Sequence, residues 1–401
     1  MALASTGRFR SELERLFPDR PFEVEFWDGT RVAATEGNGV PHFRVRSPRA
    51  LAHALRAPGQ LGVGRAYVSG DIDVDDMDGV IKLLDTWRPP PLARGDQLRL
   101  ALAAARATGI VRPPAVPRAE LKPTGTRRTR DRDARSVRHH YDLPPEFFAL
   151  FLDKSMTYSC AIFSRGAQTL EEAQETKLEL VCTKLGLKEG QRVLDVGCGW
   201  GSFALHAAAR HGVHVTGVTL SEPQVAVARR RAQEAGLADK LDFRVMDYRE
   251  LSGASFDAIA SIGMVEHVGD EKIDVYMERL RELLAPGGLL LNHGIARLDP
   301  GDVIGGPFSD RYVFPDGAPL QLSRVLQAVE RSGLEALHIE GFRQDYVDTL
   351  GHWARRLDDN IAEARRLAGE ERVRVWRLYL RAARNGFDTG FTSVYQVLCR
   401  N

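Results

Sequence analysis

The sequence contains few cysteines and no long apolar run, and both absences limit its class. The four cysteines show no CxxC pair or other spacing typical of a metal site. They predict neither a disulfide framework nor a metal centre, and few unpaired cysteines are typical of a protein in a reducing compartment. No stretch approaches the roughly 18 consecutive apolar residues of a transmembrane helix, and the first residues lack the apolar segment of a secretory signal. We therefore predict a cytoplasmic protein that could meet a membrane only at its surface.

An excess of charge of one sign is also missing. The 55 Lys and Arg residues balance 54 Asp and Glu residues, which leaves a net charge of +1. Binding to anionic partners must therefore come from local patches rather than from the whole surface. With 43% hydrophobic residues in 401, the chain has enough apolar material for two or three packed domains.

The first third of the chain shows two kinds of composition. Residues 1–87 predict a small α+β domain, with short strands in PFEVEFWDG and FRVRS. Residues 88–133 are rich in Pro and Arg, which predicts a linker that contains one helix, DQLRLALAAARATG. The basic run from Arg127 to Arg138 is either a solvated linker or a patch for anionic lipid head groups. It has no interleaved aromatic residues, which argues against nucleic acid as a partner.

The remainder, residues 134–401, has the pattern of an α/β domain. From about residue 178, segments typical of strands and of helices alternate at short spacing, and VYQVLCR is the last predicted strand. This alternation predicts a doubly wound, mostly parallel sheet with right-handed crossovers.

A glycine-rich turn follows the first strand of this domain. In VLDVGCGWG, Asp195 precedes glycines at 197, 199 and 201. Glycine lets the backbone approach a ligand closely at the carboxyl end of a strand. The spacing is GxGxG and not the GxGxxG of pyrophosphate binders, so it favours a cofactor without phosphate, such as S-adenosylmethionine. The alternative is a tight turn that binds nothing.

The ends of the next strands extend this pattern. Thr219-Leu220-Ser221 ends the second strand and Asp247-Tyr248 the third. The order resembles that of class I S-adenosylmethionine-dependent methyltransferases, whose sheet has seven strands. This order, together with a resemblance to a narrower family carried by the stretches in the next paragraph, implies contact with the cofactor for Tyr158, Ser159, Asp195, Gly197, Gly199, Gly201, Thr219, Leu220, Ser221, Gln224, Asp247 and Tyr248.

More specific stretches narrow the family. They are RHHYDL at 138–143, TYSCA at 157–161, SIGMVEHVG at 261–269, FPDG at 314–317 and Asp345-Tyr346. Together they resemble the cyclopropane-fatty-acid synthase family, which includes the mycolic acid cyclopropane synthases. The stretch AYVSGDIDV resembles the lipid-engaging domain of the phospholipid-modifying members, so residues 1–87 are expected to engage lipid.

The resemblance implies an activity and a second set of residues. The expected reaction methylates the cis double bond of an unsaturated phospholipid acyl chain through a carbocation and closes a cyclopropane ring, at the inner face of the membrane. A bicarbonate ion takes the proton in this family, and its ligands map onto Cys160, Glu266, His293, Ile295 and Tyr346, with Cys160 and Ile295 acting through the backbone. The oligomeric state, including a homodimer, stays open.

Each of these residues also has a plainer interpretation. Glu266 follows an apolar strand, where burial would raise its pKa, but it could be an ordinary acid in the first turn of a helix. His293 could be a hydrogen-bonded core histidine. Cys160 could be a small buried hydrophobe, and Tyr346 a core residue.

One position departs from the family pattern and leaves the product open. After HYDL the family has Asp, whereas this chain has Glu146 in PPEF. We predict Glu146 as a base or cation stabiliser, with a first-turn helix acid as the alternative. A different base would give a methylene-branched chain, which would need a reductase partner. An alternative of another class is a lipid-binding protein without activity.

Overall fold

The chain forms two compact units in a computed structural model. The first unit comprises Met1–Pro123, Gly306–Val313 and Ala368–Asn385, and the second comprises Thr124–Gly305, Phe314–Leu367 and Gly386–Asn401. The residues that the structure describes are 6–35, 39–109, 113–121, 143–253, 255–298, 307–313, 317 and 319–401. The predicted basic run and most of the RHHYDL and FPDG stretches lie outside them.

Helices and strands are numbered in chain order. The helices are α1 (Gly7–Leu16), α2 (Arg49–Arg56), α3 (Gln60–Val68), α4 (Met77–Thr86), α5 (Arg94–Thr108), α6 (Pro145–Ala149), α7 (Leu170–Lys184), α8 (Ser202–His211), α9 (Glu222–Glu234), α10 (Val265–Val268), α11 (Ile273–Leu283), α12 (Pro307–Tyr312), α13 (Leu322–Ser332), α14 (Arg343–Asp359), α15 (Ile361–Ala368) and α16 (Glu370–Asp388). The strands are β1 (Glu23–Glu25), β2 (Arg31–Val32), β3 (His42–Val45), β4 (Ile72–Val74), β5 (Arg192–Val196), β6 (His214–Thr219), β7 (Leu241–Val245), β8 (Phe256–Ile262), β9 (Leu284–Arg297), β10 (Leu320–Gln321), β11 (Glu335–Gly341) and β12 (Thr392–Arg400).

The first unit is built on a four-stranded sheet in the order β2-β1-β3-β4. Helix α5 packs in this unit, because Ala103, Ala104 and Ala107 form a small-residue face that is buried with Phe9 and Phe26. The prediction of a linker over 88–133 is therefore wrong for α5. The prolines on either side suggested a linker, but the segment between them buries its alanine face.

A buried ion pair joins separate chain segments within the first unit. The Arg65 guanidinium donates from Nε and Nη2 to the two oxygens of Glu120, at 2.7 and 2.6 Å, and the Tyr312 hydroxyl donates to Glu120 at 2.8 Å. The α+β character of residues 1–87 agrees with the prediction, but the unit also includes α5, α12 and most of α16.

The second unit contains the predicted sheet. Its order is β11-β12-β9-β8-β5-β6-β7, with the short β10 paired to β9. Strands β5 to β9 are parallel, and β12 runs antiparallel to both β9 and β11. This confirms the doubly wound, mostly parallel α/β fold.

Helices cover both faces of this sheet, as residues in β5 show. Val193 packs with the buried faces of α7, α8 and α9, whereas Leu194 packs with those of α11 and α13. Every β5 residue after Arg192 is buried, which is typical of a central parallel strand. The carboxyl ends of β5 to β8 are left uncovered for a ligand.

Within the described part of the chain, no helix combines the length and the apolar character needed to cross a membrane.

Candidate active site

One cleft opens at the carboxyl ends of β5 to β8. It is called the cofactor cleft below. Ten of the twelve residues predicted to contact the cofactor line it, namely Tyr158, Ser159, Asp195, Gly197, Gly199, Thr219, Leu220, Gln224, Asp247 and Tyr248.

Gly201 and Ser221 are the two predicted residues that do not line the cleft. A Cβ on Gly201 would lie 2.9 Å from Phe243 Cζ, so the missing side chain makes room for the core. The Ser221 hydroxyl accepts from the backbone N–H of Gln224 at 3.4 Å and caps the N-terminus of α9. Both residues shape the walls behind the cleft.

The glycine turn brings its backbone up to the cleft. Gly197 has φ +79°, and a Cβ there would lie 2.5 Å from Met264 Cγ. Gly199 has φ +53° and open space where its Cβ would project. A ligand can therefore lie directly on the turn. This fits S-adenosylmethionine, which has no phosphates for a helix N-terminus to hold.

A buried lysine and a buried aspartate lie behind the turn. Burial raises the pKa of Asp195 to about 7, which the Lys177 charge partly opposes. Burial lowers the pKa of Lys177 to about 8, and its ammonium donates to the Ser159 hydroxyl at 3.0 Å. Asp195 Oδ2 is buried with no hydrogen-bond partner among the described residues, so a polar group of a bound cofactor would satisfy it.

Lys177 is not among the site residues predicted from the sequence. The signal was there: Leu170, Ala173 and Leu178 define the buried face of α7, and Lys177 lies on that face. A lysine on an apolar face needs a charged partner, and Asp195 is one of the acids whose charge raises its pKa.

A second group of residues, the Glu266–His293 cluster, comprises Glu266, His293 and Ile295. Glu266 lies between Met264 and His267, which line the cofactor cleft. Its Oε1 accepts from the Ile295 amide at 2.9 Å, and its buried Oε2 has no partner among the described residues. Burial raises the pKa of Glu266 to about 7, as the sequence predicted.

Hydrogen bonds determine the tautomer of His293. Lys184 donates to Gln396 Oε1 at 2.7 Å, so the Gln396 amide nitrogen, 3.2 Å from His293 Nδ1, is the donor there. Burial lowers the pKa of His293 to about 3, and the neutral ring therefore carries its proton on Nε2. That nitrogen is buried without a partner in the described structure. It is a donor available to a ligand.

Cys160 and Tyr346 lie beside β12, the neighbour of β9. Val394 pairs with Ile295 and accepts from the Phe342 amide at 2.9 Å. The Phe342 carbonyl lies 3.7 Å from Cys160 Sγ and accepts from the Tyr346 amide at 3.2 Å. Burial raises the pKa of the Cys160 thiol, so it is not a nucleophile. Direct contact is thus seen for Glu266 and Ile295. His293 lies two residues before Ile295 on β9, and Cys160 and Tyr346 lie beside the neighbouring strand β12.

Comparison with known proteins agrees with this geometry. The sequence model of the mycolic acid cyclopropane synthetase family matches residues 128–397. The chain belongs to this family. It is an S-adenosylmethionine-dependent methyltransferase of the cyclopropane synthase family, whose members methylate or cyclopropanate fatty acids.

Three relatives illustrate the range of the family. A Mycobacterium tuberculosis protein named "probable fatty acid methyltransferase" is 36% identical over 98% of this chain and 95% of its own. The cyclopropane-fatty-acyl-phospholipid synthase of Escherichia coli K12 is 32% identical over 91% and 89%. The crystal structure of a mycolic acid cyclopropane synthase complexed with SAH has 32% identity and a TM-score of 0.64, over 67% of this chain and 98% of that chain.

Within this family fold, Glu146 does not reach the cofactor cleft. It is exposed in the first turn of the short helix α6 and lines a separate depression with Arg230, Arg231 and Arg356. The prediction of Glu146 as a base is not supported, because an exposed carboxyl faces water rather than a substrate. Its place is that of the first-turn acid.

An aromatic wall connects the cofactor cleft with Tyr346. Phe148 lies 4.9 Å from Trp200 between ring centroids, Tyr158 lies 5.1 Å from Trp353, and Trp353 lies 6.2 Å from Tyr346. Trp200 and Tyr158 line the cleft. Sequence reasoning missed this wall, because its members come from distant segments.

Proposed function

We propose that this methyltransferase acts on the cis double bond of a monounsaturated acyl chain in a membrane phospholipid and closes it to a cyclopropane ring. The observation that carries the proposal is the Glu266–His293 cluster, which holds two buried polar atoms without partners among the described residues. Glu266 lies between two residues of the cofactor cleft, and the His293 carbonyl accepts from the backbone amide of the cleft residue Gly263 at 2.9 Å. About nine in ten buried polar groups in proteins have a hydrogen-bond partner, so two unpartnered atoms in one cluster support binding of a ligand there.

The substrate sets what the site must do. An alkene is a weak nucleophile, and S-adenosylmethionine supplies the electrophilic methyl group when it is bound. The chain contributes orientation and a dry surrounding. The aromatic wall gives apolar contact for an acyl chain, and the faces of its rings stabilise a carbocation.

A proton must then leave the substrate. A bicarbonate ion fits the cluster, because His293 Nε2–H donates and Glu266, with a pKa near neutrality, donates when protonated. Bound there, bicarbonate would supply a proton acceptor within a buried site. Ile295 holds the Glu266 carboxyl in place through its amide.

A methylene-branched product is the second candidate. It arises from the same carbocation if a hydride first moves from the methyl-bearing carbon to the neighbouring cationic carbon. The new methyl group then loses a proton to form an exocyclic double bond. Two relatives named probable fatty acid methyltransferases are 36% and 34% identical over 98% and 94% of this chain, and we keep this alternative because their names state methylation without a ring.

Exposed residues of the first unit support the proposal that the protein acts at a membrane surface. Leu98 and Leu102 lie one turn apart on α5, with 61% and 47% exposure, and Arg99 and Arg106 are exposed on the same helix. Exposed leucines beside arginines are typical of a helix that meets lipid head groups. We propose that this unit engages the inner face of the membrane.

The test uses a host that makes monounsaturated phospholipids and lacks its own enzyme of this type. The chain is expressed with methyl-labelled methionine, and lipids are analysed by mass spectrometry and NMR. We expect one labelled carbon per modified acyl chain, in a cyclopropane ring. An exocyclic methylene would select the second candidate, and unlabelled acyl chains would contradict the proposal.

Two variants make the test specific. Glu266→Gln keeps the shape of the side chain, and we expect loss of most labelled product. Glu278→Gln removes an exposed carboxyl elsewhere in the same unit and serves as the matched control. Equal product from the two variants would remove Glu266 from the mechanism.

A further inference from the structure

Four side chains that the mechanism does not use converge between α7 and α8. Glu179 and Cys182 lie one turn apart on α7, and His206 and His211 lie on α8. A single oxygen, Glu179 Oε2, is 3.0 Å from His206 Nε2 and 3.2 Å from His211 Nε2. The Cys182 sulfur and ligand atoms of both histidines all lie within 4.8 Å of one another. We call these four residues the α7–α8 cluster.

The separations are close to those of a metal centre. Zinc bonds of about 2.0–2.1 Å to nitrogen and oxygen and about 2.3 Å to sulfur place tetrahedral ligands roughly 3.3–3.7 Å apart. The two contacts to Glu179 are within a few tenths of an ångström of that range. The Cys182 sulfur lies within 4.8 Å of a ligand atom of each histidine, so a movement of about 1 Å would bring it into the range for bonds to one ion. An ion would take the place of the protons that the imidazoles direct at the carboxylate.

The chemical types of the four side chains indicate which metal ion would bind. Thiolate and imidazole ligands favour zinc over calcium and magnesium, which prefer oxygen ligands. The Cys182 thiol loses its proton on binding, and thiolate and carboxylate then balance the two charges of the ion. Cys182 is buried, and the Glu179 side chain, 47% exposed, leaves a path from solvent.

We propose that Glu179, Cys182, His206 and His211 bind one zinc ion. None of the four lines the cofactor cleft. Helix α8 begins directly after the glycine turn, and α7 carries Lys177. The ion therefore ties together two helices that position the cofactor cleft, and its role is structural. Sequence spacing did not predict it, because 23 residues separate Cys182 from His206.

The test measures metal content of the full-length protein. After growth with zinc and dialysis against a weak chelator, we expect one zinc ion per chain by mass spectrometry of metals. Cobalt substitution should give the intense visible bands of a tetrahedral site and a near-ultraviolet thiolate-to-cobalt band. Cys182→Ser should abolish the thiolate band and weaken zinc binding by about 100-fold. Cys399→Ser, which removes another buried cysteine, should leave both unchanged.

A second variant guards against loss of folding. His211 is only half-buried at the end of α8, so His211→Ala should fold, as circular dichroism and binding of S-adenosylhomocysteine can verify. We expect it to lower zinc affinity and to remove the rise in melting temperature that zinc gives the wild type. If wild type and the Cys182 and His211 variants retain equal zinc, or if wild type retains none, the α7–α8 cluster is only a group of ion pairs and the proposal is wrong.

Discussion

Single residues behind the cofactor cleft have pKa values displaced by burial in opposite directions. Glu266 and Asp195 are raised to about 7, while Lys177 is lowered to about 8 and His293 to about 3. The site thus favours neutral forms of its groups over charged ones. Such displacement is typical of functional sites, where a bound ligand later supplies the missing partners.

The raised pKa of Glu266 predicts how stability depends on pH. Its ordinary value is 4.5, so between about pH 4.5 and 7 the folded protein holds a proton that the unfolded chain has lost. The protonated carboxyl therefore contributes fully to the free energy of unfolding below pH 4.5. This contribution falls as the pH rises above 4.5 and is lost once the pH has risen through 7, a total loss of about 3 kcal/mol. Asp195 acts in the same direction.

Glu266→Gln should therefore flatten the pH dependence. Denaturant unfolding without cofactor at about pH 5 and about pH 7.5 measures it. We expect the wild type to lose more stability between the two pH values than the variant, and Glu278→Gln to behave as wild type. Equal slopes for Glu266→Gln and wild type would contradict a buried, protonated carboxyl.

Replacement of Lys177 should weaken cofactor binding without lowering the stability of the fold. Its ammonium is buried, donates to Ser159 and lines the cofactor cleft. Lys177→Met keeps the length and removes a costly buried charge, so the melting temperature should hold or rise. A hydrogen bond from a charged group contributes about 1.5–3 kcal/mol, so S-adenosylhomocysteine should bind roughly 10- to 100-fold more weakly by calorimetry. Unchanged binding with a lower melting temperature would show that Lys177 is only structural.

Among the elements, the glycine turn allows the backbone conformation of a glycine to be tested separately from its contact with the cofactor. Gly199 at φ +53° and Gly186 at φ +56° share a left-handed conformation, and a Cβ on either meets open space. Only Gly199 lines the cofactor cleft.

Alanine at each position tests this. Gly199→Ala and Gly186→Ala should each lower the free energy of unfolding by about 1 kcal/mol, from strain of the backbone. Only Gly199→Ala should weaken S-adenosylhomocysteine binding, because its methyl group occupies the cleft. If both variants bind as wild type does, the cofactor does not lie on the turn.

Some elements could be predicted from local sequence patterns, and others could not. The alternating strands and helices from β5 to β9 follow local hydrophobic patterns, so the sheet could be predicted, and the cofactor residues come directly after its strands. The packing of α5 could not, because its alanine face gains meaning only against α1 and α2. Strand β11 was missed, since an exposed edge strand shows little apolar pattern. The bond from Gln396 to His293 joins residues 103 positions apart and leaves no local signal.

For the whole molecule, we propose that the first unit engages lipid and the second carries out the chemistry. The exposed leucines of α5 are the test. Leu98→Ser with Leu102→Ser should reduce flotation with anionic phospholipid vesicles severalfold while S-adenosylhomocysteine binding stays unchanged. Val275→Ser, at a 49% exposed apolar residue of the second unit, is the matched control. Equal flotation of all three proteins would remove α5 from the membrane contact.

Labelling of phospholipid vesicles tests the proposal that the protein methylates an acyl double bond. Purified protein is incubated with methyl-labelled S-adenosylmethionine and vesicles of a monounsaturated phospholipid, beside vesicles of the saturated phospholipid with the same head group. We expect label in the acyl chains of the unsaturated vesicles only, and loss of most of that label with Glu266→Gln. Label in the head group, or equal label in both kinds of vesicle, would contradict it.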